Sequence, residues 1–192
     1  LIVTVVEPKL KQGFIDRFLT MTEPYNIPGI IVFNKADVYS AKDLDVFHFF
    51  KDIYEKIGYQ VMLASAETGI GIEQLSLALK DKVTLVCGQS GVGKSSIINK
   101  IDSTLDLRTS DISDYTGKGQ HTTTFAEMFS LDNTSKIIDT PGIKTLAFNH
   151  LEVKDVTHNF KELFEVSSQC KYSNCTHRNE PQCAVKQAIE DG

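Results

Sequence analysis

The sequence predicts an α/β fold in which a mostly parallel, six-stranded sheet carries helices on both faces. Short runs rich in β-branched residues, of which LIVTVV, IIVF and VTLV are the clearest, alternate with amphipathic segments of helical length. Continuous apolar runs indicate strands that are buried on both faces, and their alternation with helices is typical of parallel sheets. A long polar segment and a cysteine-rich stretch interrupt this pattern.

Composition narrows the class of protein. The 192 residues are 41% hydrophobic and 23% charged, as in soluble globular proteins, and the net charge is −5. An acidic chain is a poor nonspecific partner for nucleic acid, so DNA is not expected as a ligand. No apolar run approaches the roughly 20 residues that span a bilayer, and LIVTVV lacks the basic leader of a signal peptide. A cytoplasmic, monomeric protein without a membrane partner is therefore expected, and the start at Leu1 without methionine suggests a piece of a longer chain.

Strands and helices alternate through the first part of the chain. The strand over residues 1–6 is followed by a helix in KQGFIDRFLTMTEPY and by the strand IIVF. The segment AKDLDVFHFFKDIYEKIG predicts a helix that packs on the sheet through one stripe. The apolar residues of this stripe are Val46, Phe49, Phe50, Ile53 and Ile57. The strand YQVMLASA, the helix GIEQLSLALK and the strand KVTLVCG follow.

The second half of the chain changes character twice. After the helix SSIINKI, residues 102–124 are polar and lack sustained periodicity, which is typical of a functional or disordered loop. TFAEMFSL and SKIIDT predict a hairpin that turns at Asp132-Asn133. HLEVKDVTHNFKELFEVSSQ predicts an amphipathic helix, and an irregular cysteine-rich stretch follows it. We therefore predict one domain over residues 1–150 and a small module over residues 151–192.

A glycine-rich loop lies between the strand VTLV and the helix SSIINKI, and it fits the phosphate-loop pattern G-x-x-x-x-G-K-[ST] in full. Glycines let successive backbone N–H groups approach a phosphate, and the following helix adds its positive end. Lys94 is expected to reach the β- and γ-phosphates, and Ser95 to offer its hydroxyl to Mg²⁺. The predicted phosphate-binding residues are Gly88, Gln89, Ser90, Gly91, Val92, Gly93, Lys94, Ser95 and Ser96.

The motif DTPG closes the strand SKIIDT. A carboxylate at the end of a strand beside a phosphate loop can hold Mg²⁺ through water, which gives Asp139 this role. The backbone N–H of Gly142 is then placed to sense a γ-phosphate. DTPG alone is a common turn sequence, but its position downstream of a phosphate loop favours the functional interpretation.

The motif NKAD, residues 34–37, predicts recognition of guanine. Guanine presents N1–H and its 2-amino group as parallel donors, and the carboxylate of Asp37 can accept both, whereas adenine lacks this pair. Asn34 can bridge to other parts of the site, and the stem of Lys35, beside Ala36, can cover the base. Ser65-Ala66, at the end of another strand, can supply a backbone N–H to the guanine O6.

The order of these motifs is rotated relative to ordinary GTPases. Those proteins run phosphate loop, polar switch, DxxG, NKxD and SA, whereas here NKAD and SA come first. Packing requires neighbouring strands rather than a given chain order, and domain termini often lie close together. The sequence therefore predicts a circularly permuted GTPase of the P-loop fold that binds GTP or GDP with Mg²⁺.

Three cysteines and a histidine have the spacing C-x4-C-x-H-x5-C. These residues, Cys170, Cys175, His177 and Cys183, form a donor set suited to structural Zn²⁺. Disulfides are the main alternative, although they are uncommon in cytosolic proteins. A catalytic zinc is disfavoured because all four positions are filled. Cys87 lies in a predicted buried strand and is expected to be a core residue.

Together, the motifs NKAD, SA, GQSGVGKSS, GQHTTT and DTPG, followed by the cysteine pattern, closely resemble the bacterial ribosome small-subunit-dependent GTPase A family. The resemblance covers nearly the whole chain. It implies GTP hydrolysis that is stimulated by the small ribosomal subunit and assists its late assembly. It also implies an N-terminal OB-fold domain before residue 1 and a helical continuation after Gly192. These parts and the zinc module are expected to contact ribosomal RNA.

The catalytic residue is less directly indicated. The resemblance implies that one of Thr122, Thr123 and Thr124 closes on Mg²⁺, and we favour Thr123. Many small GTPases orient the attacking water with a glutamine after DxxG, but Ile143 stands there. We therefore expect slow intrinsic hydrolysis, with His121 as the candidate for positioning water. A nonenzymatic GTP-sensing adaptor and another P-loop NTPase remain the alternative functions.

Overall fold

The computed structural model describes residues 1–107, 126–140 and 153–191. The strands are β1 Ile2–Val3, β2 Ile30–Phe33, β3 Gln60–Leu63, β4 Val83–Val86, β5 Glu127–Ser130 and β6 Lys136–Asp139. The α-helices are α1 Gln12–Thr22, α2 Ala41–Lys56, α3 Ile72–Leu79, α4 Lys94–Ile101, α5 Val153–His158, α6 Lys161–Ser167 and α7 Ala184–Asp191. Short 3₁₀ turns cover Glu23–Tyr25 and Ala36–Val38. Among these helices, none combines the length and the apolar character needed to cross a bilayer.

The six strands form two three-stranded sheets rather than the single sheet predicted from the sequence. One sheet has the order β1-β2-β3 and is entirely parallel; the other has the order β4-β6-β5, in which β5 runs antiparallel to β6. An isolated parallel bridge pairs Ile2 with Gly88, and the Ile2 N–H donates to the Cys87 carbonyl at 2.7 Å. Of the strand predicted over residues 1–6, only Ile2–Val3 forms a strand, β1.

The hydrophobic core lies between the strands and helices α3 and α4. Ile97 and Ile98 of α4 are almost fully buried and belong to the same apolar cluster as Val32, Val86 and Ile137 from three strands. The predicted hairpin is confirmed, since β5 and β6 are joined by a turn in which the Leu131 N–H donates to the Ser135 carbonyl. This core holds the carboxyl ends of the strands in fixed positions.

Helix α2 corrects one expectation. The predicted stripe included Val46 and Phe49, but these side chains are 38% and 61% exposed, whereas Phe47 and Tyr54 are buried. The Phe47 ring packs edge-on against Phe33 of β2, with ring centroids 5.2 Å apart. Aromatic residues at positions 47, 49 and 50 permit two different helical stripes. Packing against β2 selected the one through Phe47, Phe50 and Tyr54.

The chain divides by contacts into two compact units, Leu1–Lys11 with Ile30–Thr145 and Gln12–Gly29 with Leu146–Gly192. In the second unit, the segment predicted as one helix forms α5 and α6. The break occurs because Phe160 adopts an extended conformation, and α6 begins directly after it. In the same unit, Glu23 and Lys161 form an ion pair with a distance of 3.1 Å.

Candidate nucleotide site and candidate metal centre

The predicted nucleotide motifs all follow strands of the first unit. NKAD follows β2, Ser65-Ala66 follows β3, the phosphate loop follows β4, and Asp139 ends β6. Since β1, β2 and β3 are mutually parallel and β4 is parallel to β6, the motif loops lie at the carboxyl ends of their strands. Ligands of open α/β sheets bind outside this edge.

Asn34 connects three of these loops. Its side chain is buried, and its Nδ2 donates to the Val92 carbonyl of the phosphate loop at 2.9 Å. Its Oδ1 accepts the Ala66 N–H at 3.2 Å. Asn34 thus makes the kind of bridging contacts that were predicted for it, and the Ala66 N–H that we expected to face guanine is engaged by Asn34 in this structure.

Tyr39 supports the same loop, a contact that the sequence did not indicate. Its hydroxyl donates to the Asn34 carbonyl at 2.8 Å and accepts the Val5 N–H at 2.9 Å. Burial raises the pKa of Tyr39, so the hydroxyl stays protonated and can keep donating at neutral pH. Tyr39 lies two residues beyond NKAD, where no motif marks it.

Lys35 and Asp37 lie at the open side of the loop. Lys35 has a left-handed conformation with φ of 68°, and its Nζ donates to the Glu7 carbonyl at 2.8 Å. Asp37 is exposed, and its Oδ1 accepts the Ser65 hydroxyl. The Ser65 hydroxyl also accepts the Thr68 N–H at 3.1 Å. The two motif loops are therefore joined through a charged side chain that remains open to solvent.

Two glycines of the phosphate loop are required by close approach. A Cβ at Gly88 would collide with the Ile2 carbonyl, which lies where β1 meets the loop. A Cβ at Gly93 would collide with the Asn34 side-chain amide, and Gly93 also has a φ of 90°, which disfavours other residues. The absence of a side chain at Gly93 lets the loop contact the NKAD segment, and its absence at Gly88 lets the loop contact β1.

Lys94 and Asp139 carry the opposite charges of the phosphate end. The Lys94 ammonium donates to the carbonyls of Gly88 and Gln89 at 3.1 and 3.2 Å, and burial lowers its pKa. Asp139 is buried with its Oδ1 lacking a hydrogen-bond partner, and burial raises its pKa against the opposing charge of Lys94. An unpartnered buried carboxylate oxygen beside a phosphate loop fits a site for a cation or its bound water.

The remaining predicted residues are divided between described and undescribed parts of the chain. Ser95 and Ser96 lie partly buried in the first turn of α4, while Ser90 and Gly91 lie exposed in the loop. His121, Thr123 and Gly142 lie outside the described residues.

The four predicted metal ligands come together in the second unit. Their ligand atoms all lie within 4.8 Å of one another. Cys170 Sγ lies 3.9 Å from Cys183 Sγ and 3.6 Å from His177 Nδ1, and His177 Nδ1 lies 3.3 Å from Cys183 Sγ. Cys183 comes directly before α7, and its sulfur also accepts the Lys186 N–H at 3.4 Å.

These separations fit a tetrahedral zinc site. Zn–S bonds of about 2.3 Å and Zn–N bonds of about 2.0–2.1 Å place tetrahedral sulfurs about 3.8 Å apart and a sulfur and nitrogen about 3.6 Å apart. All four cysteines of the chain are free thiols, so the structure does not support the disulfide alternative. Cys87 is buried, as expected for a core residue. Four protein ligands fill a tetrahedron, which favours a structural role.

Comparison with known sequences supports the GTPase motifs described above. The sequence model of a family described as RsgA GTPase matches residues 1–149. The small ribosomal subunit biogenesis GTPase RsgA of Flavobacterium psychrophilum is 46% identical over 190 residues, which cover 99% of this chain and 58% of the relative. The protein of the same name from Phocaeicola vulgatus is 48% identical over 190 residues, covering 99% of this chain and 61% of the relative. The chain thus spans less than two thirds of these relatives.

Two solved structures have the same fold as this chain. YjeQ from Thermotoga maritima superposes with a TM-score of 0.84 at 38% identity, covering 100% of this chain and 63% of the other. YloQ, described as a circularly permuted GTPase, gives a TM-score of 0.79 at 33% identity, covering 100% of this chain and 60% of the other. The rotated motif order is therefore that of a circularly permuted P-loop GTPase, and the chain belongs to the RsgA GTPase family.

Proposed function

We propose that the protein hydrolyses GTP to GDP and phosphate and acts in assembly of the small ribosomal subunit. The observation that carries this proposal is the Asn34 side chain, which joins the base loop, the Ala66 loop and the phosphate loop into one site. Relatives that are named small ribosomal subunit biogenesis GTPases support the choice of partner. Because the chain spans only part of those relatives, the ribosomal contacts are proposed for the full-length protein.

Guanine is the proposed base. The Asp37 carboxylate, oriented by the Ser65 hydroxyl, accepts the two parallel guanine donors. The Lys35 stem covers the base while its ammonium rests on the Glu7 carbonyl. The Ala66 N–H, which donates to Asn34 Oδ1 in this structure, is proposed to turn to the guanine O6 when the nucleotide binds, and Ala36 completes the loop. These donors and acceptors disfavour adenine, which argues against the other P-loop NTPase classes.

The phosphates are proposed to lie in the loop from Gly88 to Ser96, with the Lys94 ammonium moving from the loop carbonyls to the β- and γ-phosphate oxygens. Ser95, Thr123 and Asp139 are the proposed Mg²⁺ ligands, Asp139 through water. Bound Mg²⁺ supplies neutralisation of phosphate charge. The Gly142 N–H is proposed as the γ-phosphate sensor.

Replacing Asp139 with asparagine should stabilise the ligand-free protein while removing its response to Mg²⁺. A carboxyl whose folded pKa is raised binds protons more readily folded than unfolded, so its stability cost appears as pH rises from 3.8 through the raised value. At pH 7 the amide avoids this cost, and the melting temperature should rise by a few degrees. Thermal melting without ligand and with GDP, with and without Mg²⁺, measures both effects. A lower ligand-free melting temperature would contradict the assignment.

We propose His121 as the residue that positions the attacking water in the ribosome-bound protein. The glutamine position after DTPG is occupied by Ile143, which cannot orient water. The same feature favours a second candidate function, a GTP-sensing adaptor in which hydrolysis is negligible.

Phosphate release by the full-length protein, with and without small ribosomal subunits, distinguishes these two functions. We expect slow release by the protein alone and stimulation of roughly 10²-fold by the subunits, the scale of one well-positioned acid–base group. His121→Ala should lose most of the stimulation, and the exposed residue His48 provides a control through His48→Ala. Release that stays negligible with subunits would favour the adaptor.

We further propose that residues 1–150 act as the GTPase domain and residues 151–192 as a zinc-binding module held by Cys170, Cys175, His177 and Cys183. The parallel bridge between Ile2 and Gly88 supports the proposal that the two three-stranded sheets act as one six-stranded sheet of the GTPase domain. We propose that the protein is cytoplasmic and monomeric. It is proposed to contact ribosomal RNA outside its acidic GTPase part, and neither DNA nor membrane is proposed as a partner.

A further inference from the structure

The backbone on both sides of the metal ligand His177 is held by one carboxylate. Glu180 lies between His177 and Cys183, and its two oxygens accept four hydrogen bonds. Oε1 accepts the Thr176 N–H at 2.9 Å and the Thr176 hydroxyl at 2.6 Å. Oε2 accepts the N–H groups of Arg178 and Asn179, each at 3.0 Å.

These four bonds all fall within the metal-binding loop. Thr176 separates the ligands Cys175 and His177. The Glu180 carboxylate therefore binds the backbone directly before His177, at Thr176, and directly after it, at residues 178–179. His177 itself has a left-handed φ of 60°, a conformation that is unfavourable for a residue other than glycine. The hydrogen bonds with Thr176 are the main reason that the pKa of Glu180 is lowered to about 2, so the carboxylate is ionised and all its lone pairs are available at neutral pH.

We propose that Glu180 is a positioning residue of the metal centre, which holds the backbone around His177 in the metal-binding conformation without touching the metal. The proposal rests on the proposed zinc site and deepens it. A loop that already has the metal-binding conformation loses less conformational entropy when the metal binds. The Glu180 hydrogen bonds should therefore raise the affinity for the metal. Residues that orient metal ligands commonly contribute 10–100-fold to affinity.

Competition with a chromophoric chelator, applied to the full chain, tests this role. Glu180→Ala should weaken the apparent Zn²⁺ affinity by about 10–100-fold. Glu190→Ala, which removes an exposed carboxylate of α7, should change it less than about twofold, the scale of surface substitutions. The Co²⁺-loaded Glu180→Ala protein should keep the absorption of a tetrahedral three-sulfur site, because no ligand is lost. Unchanged Zn²⁺ affinity in Glu180→Ala would overturn the proposal.

A second pair of variants covers the case in which Glu180→Ala does not fold. Thr176→Val removes one of the two bonds to Oε1 and should lower Zn²⁺ affinity, whereas Thr176→Ser keeps the hydroxyl and should restore it. Equal Zn²⁺ affinities for these two variants would also overturn the proposed role of Glu180. Failure of the unaltered chain to bind one Zn²⁺ would instead refute the proposed zinc site, so the two outcomes are distinguishable.

Discussion

Lys94→Ala should reduce the affinity for GDP and GTP by about 100-fold, which corresponds to about 2.8 kcal/mol. The Lys94 ammonium already lies in the loop, where it donates to the Gly88 and Gln89 carbonyls, so little reorganisation is needed to reach a phosphate. Its removal also leaves the buried Asp139 carboxylate without the positive charge that lowers its pKa. Loss of the ammonium removes the positive charge that attracts the nucleotide phosphates, so phosphate binding is weakened. Titration calorimetry with GDP and a GTP analogue in the presence of Mg²⁺ measures the loss.

The position of Lys94 also predicts which part of the nucleotide is affected. Guanosine, which lacks phosphates, should bind Lys94→Ala and the unaltered chain equally. Asp37→Ala should instead weaken guanosine and GDP alike, because its carboxylate is the proposed acceptor of the guanine donors. Lys42→Ala, which removes an exposed lysine from the first turn of α2, is the matched control and should leave every affinity unchanged. Loss of guanosine binding in Lys94→Ala would place the lysine elsewhere.

The parts of the fold that follow from local chemistry were predictable from the sequence. The phosphate loop needs glycines where backbone segments meet, and Gly88 and Gly93 are two such positions. Asn34 could be assigned as a bridge because it ends a buried strand and carries both a donor and an acceptor. The metal ligands were identifiable because thiolates and imidazole at short spacing have few other uses in a reduced protein.

The parts of the fold and of the site that depend on tertiary packing were not predictable from the sequence. Helix α2 offered two apolar stripes, and only the packing of Phe47 against Phe33 decides between them. The hydroxyl of Tyr39 and the carboxylate of Glu180 act on backbone groups brought near by loop conformation. No residue pattern marks such contacts, because almost any polar side chain can make them once the backbone has turned. The length of β1 was not predictable either. The run LIVTVV favours a strand over all six residues, but only Ile2 and Val3 pair with the neighbouring strand.

Removal of zinc should unfold the metal-binding part of the second unit and leave the nucleotide site in place. Apart from Cys183 and Val185, the described residues from 168 to 191 are at least partly exposed, so apolar burial contributes little there. Structural Zn²⁺ contributes about 10–16 kcal/mol of apparent binding free energy in zinc-finger peptides, and this energy is coupled to folding. Treatment with a strong chelator should therefore increase hydrogen exchange across residues 161–191, while residues 30–100 keep their protection and the chain keeps its affinity for GDP.

Cys183→Ser provides the same test without a chelator. The Cys183 sulfur contacts Cys170, His177 and the Lys186 N–H, and serine is a poor zinc ligand. Metal analysis should find about one Zn²⁺ in the unaltered chain and far less in this variant, because a structural site needs all four ligands. Cys87→Ser, which alters a buried cysteine of the first unit, should retain a full complement of zinc. If hydrogen exchange in residues 161–191 were the same with and without metal, the module would be held by its own packing and zinc would have no structural role.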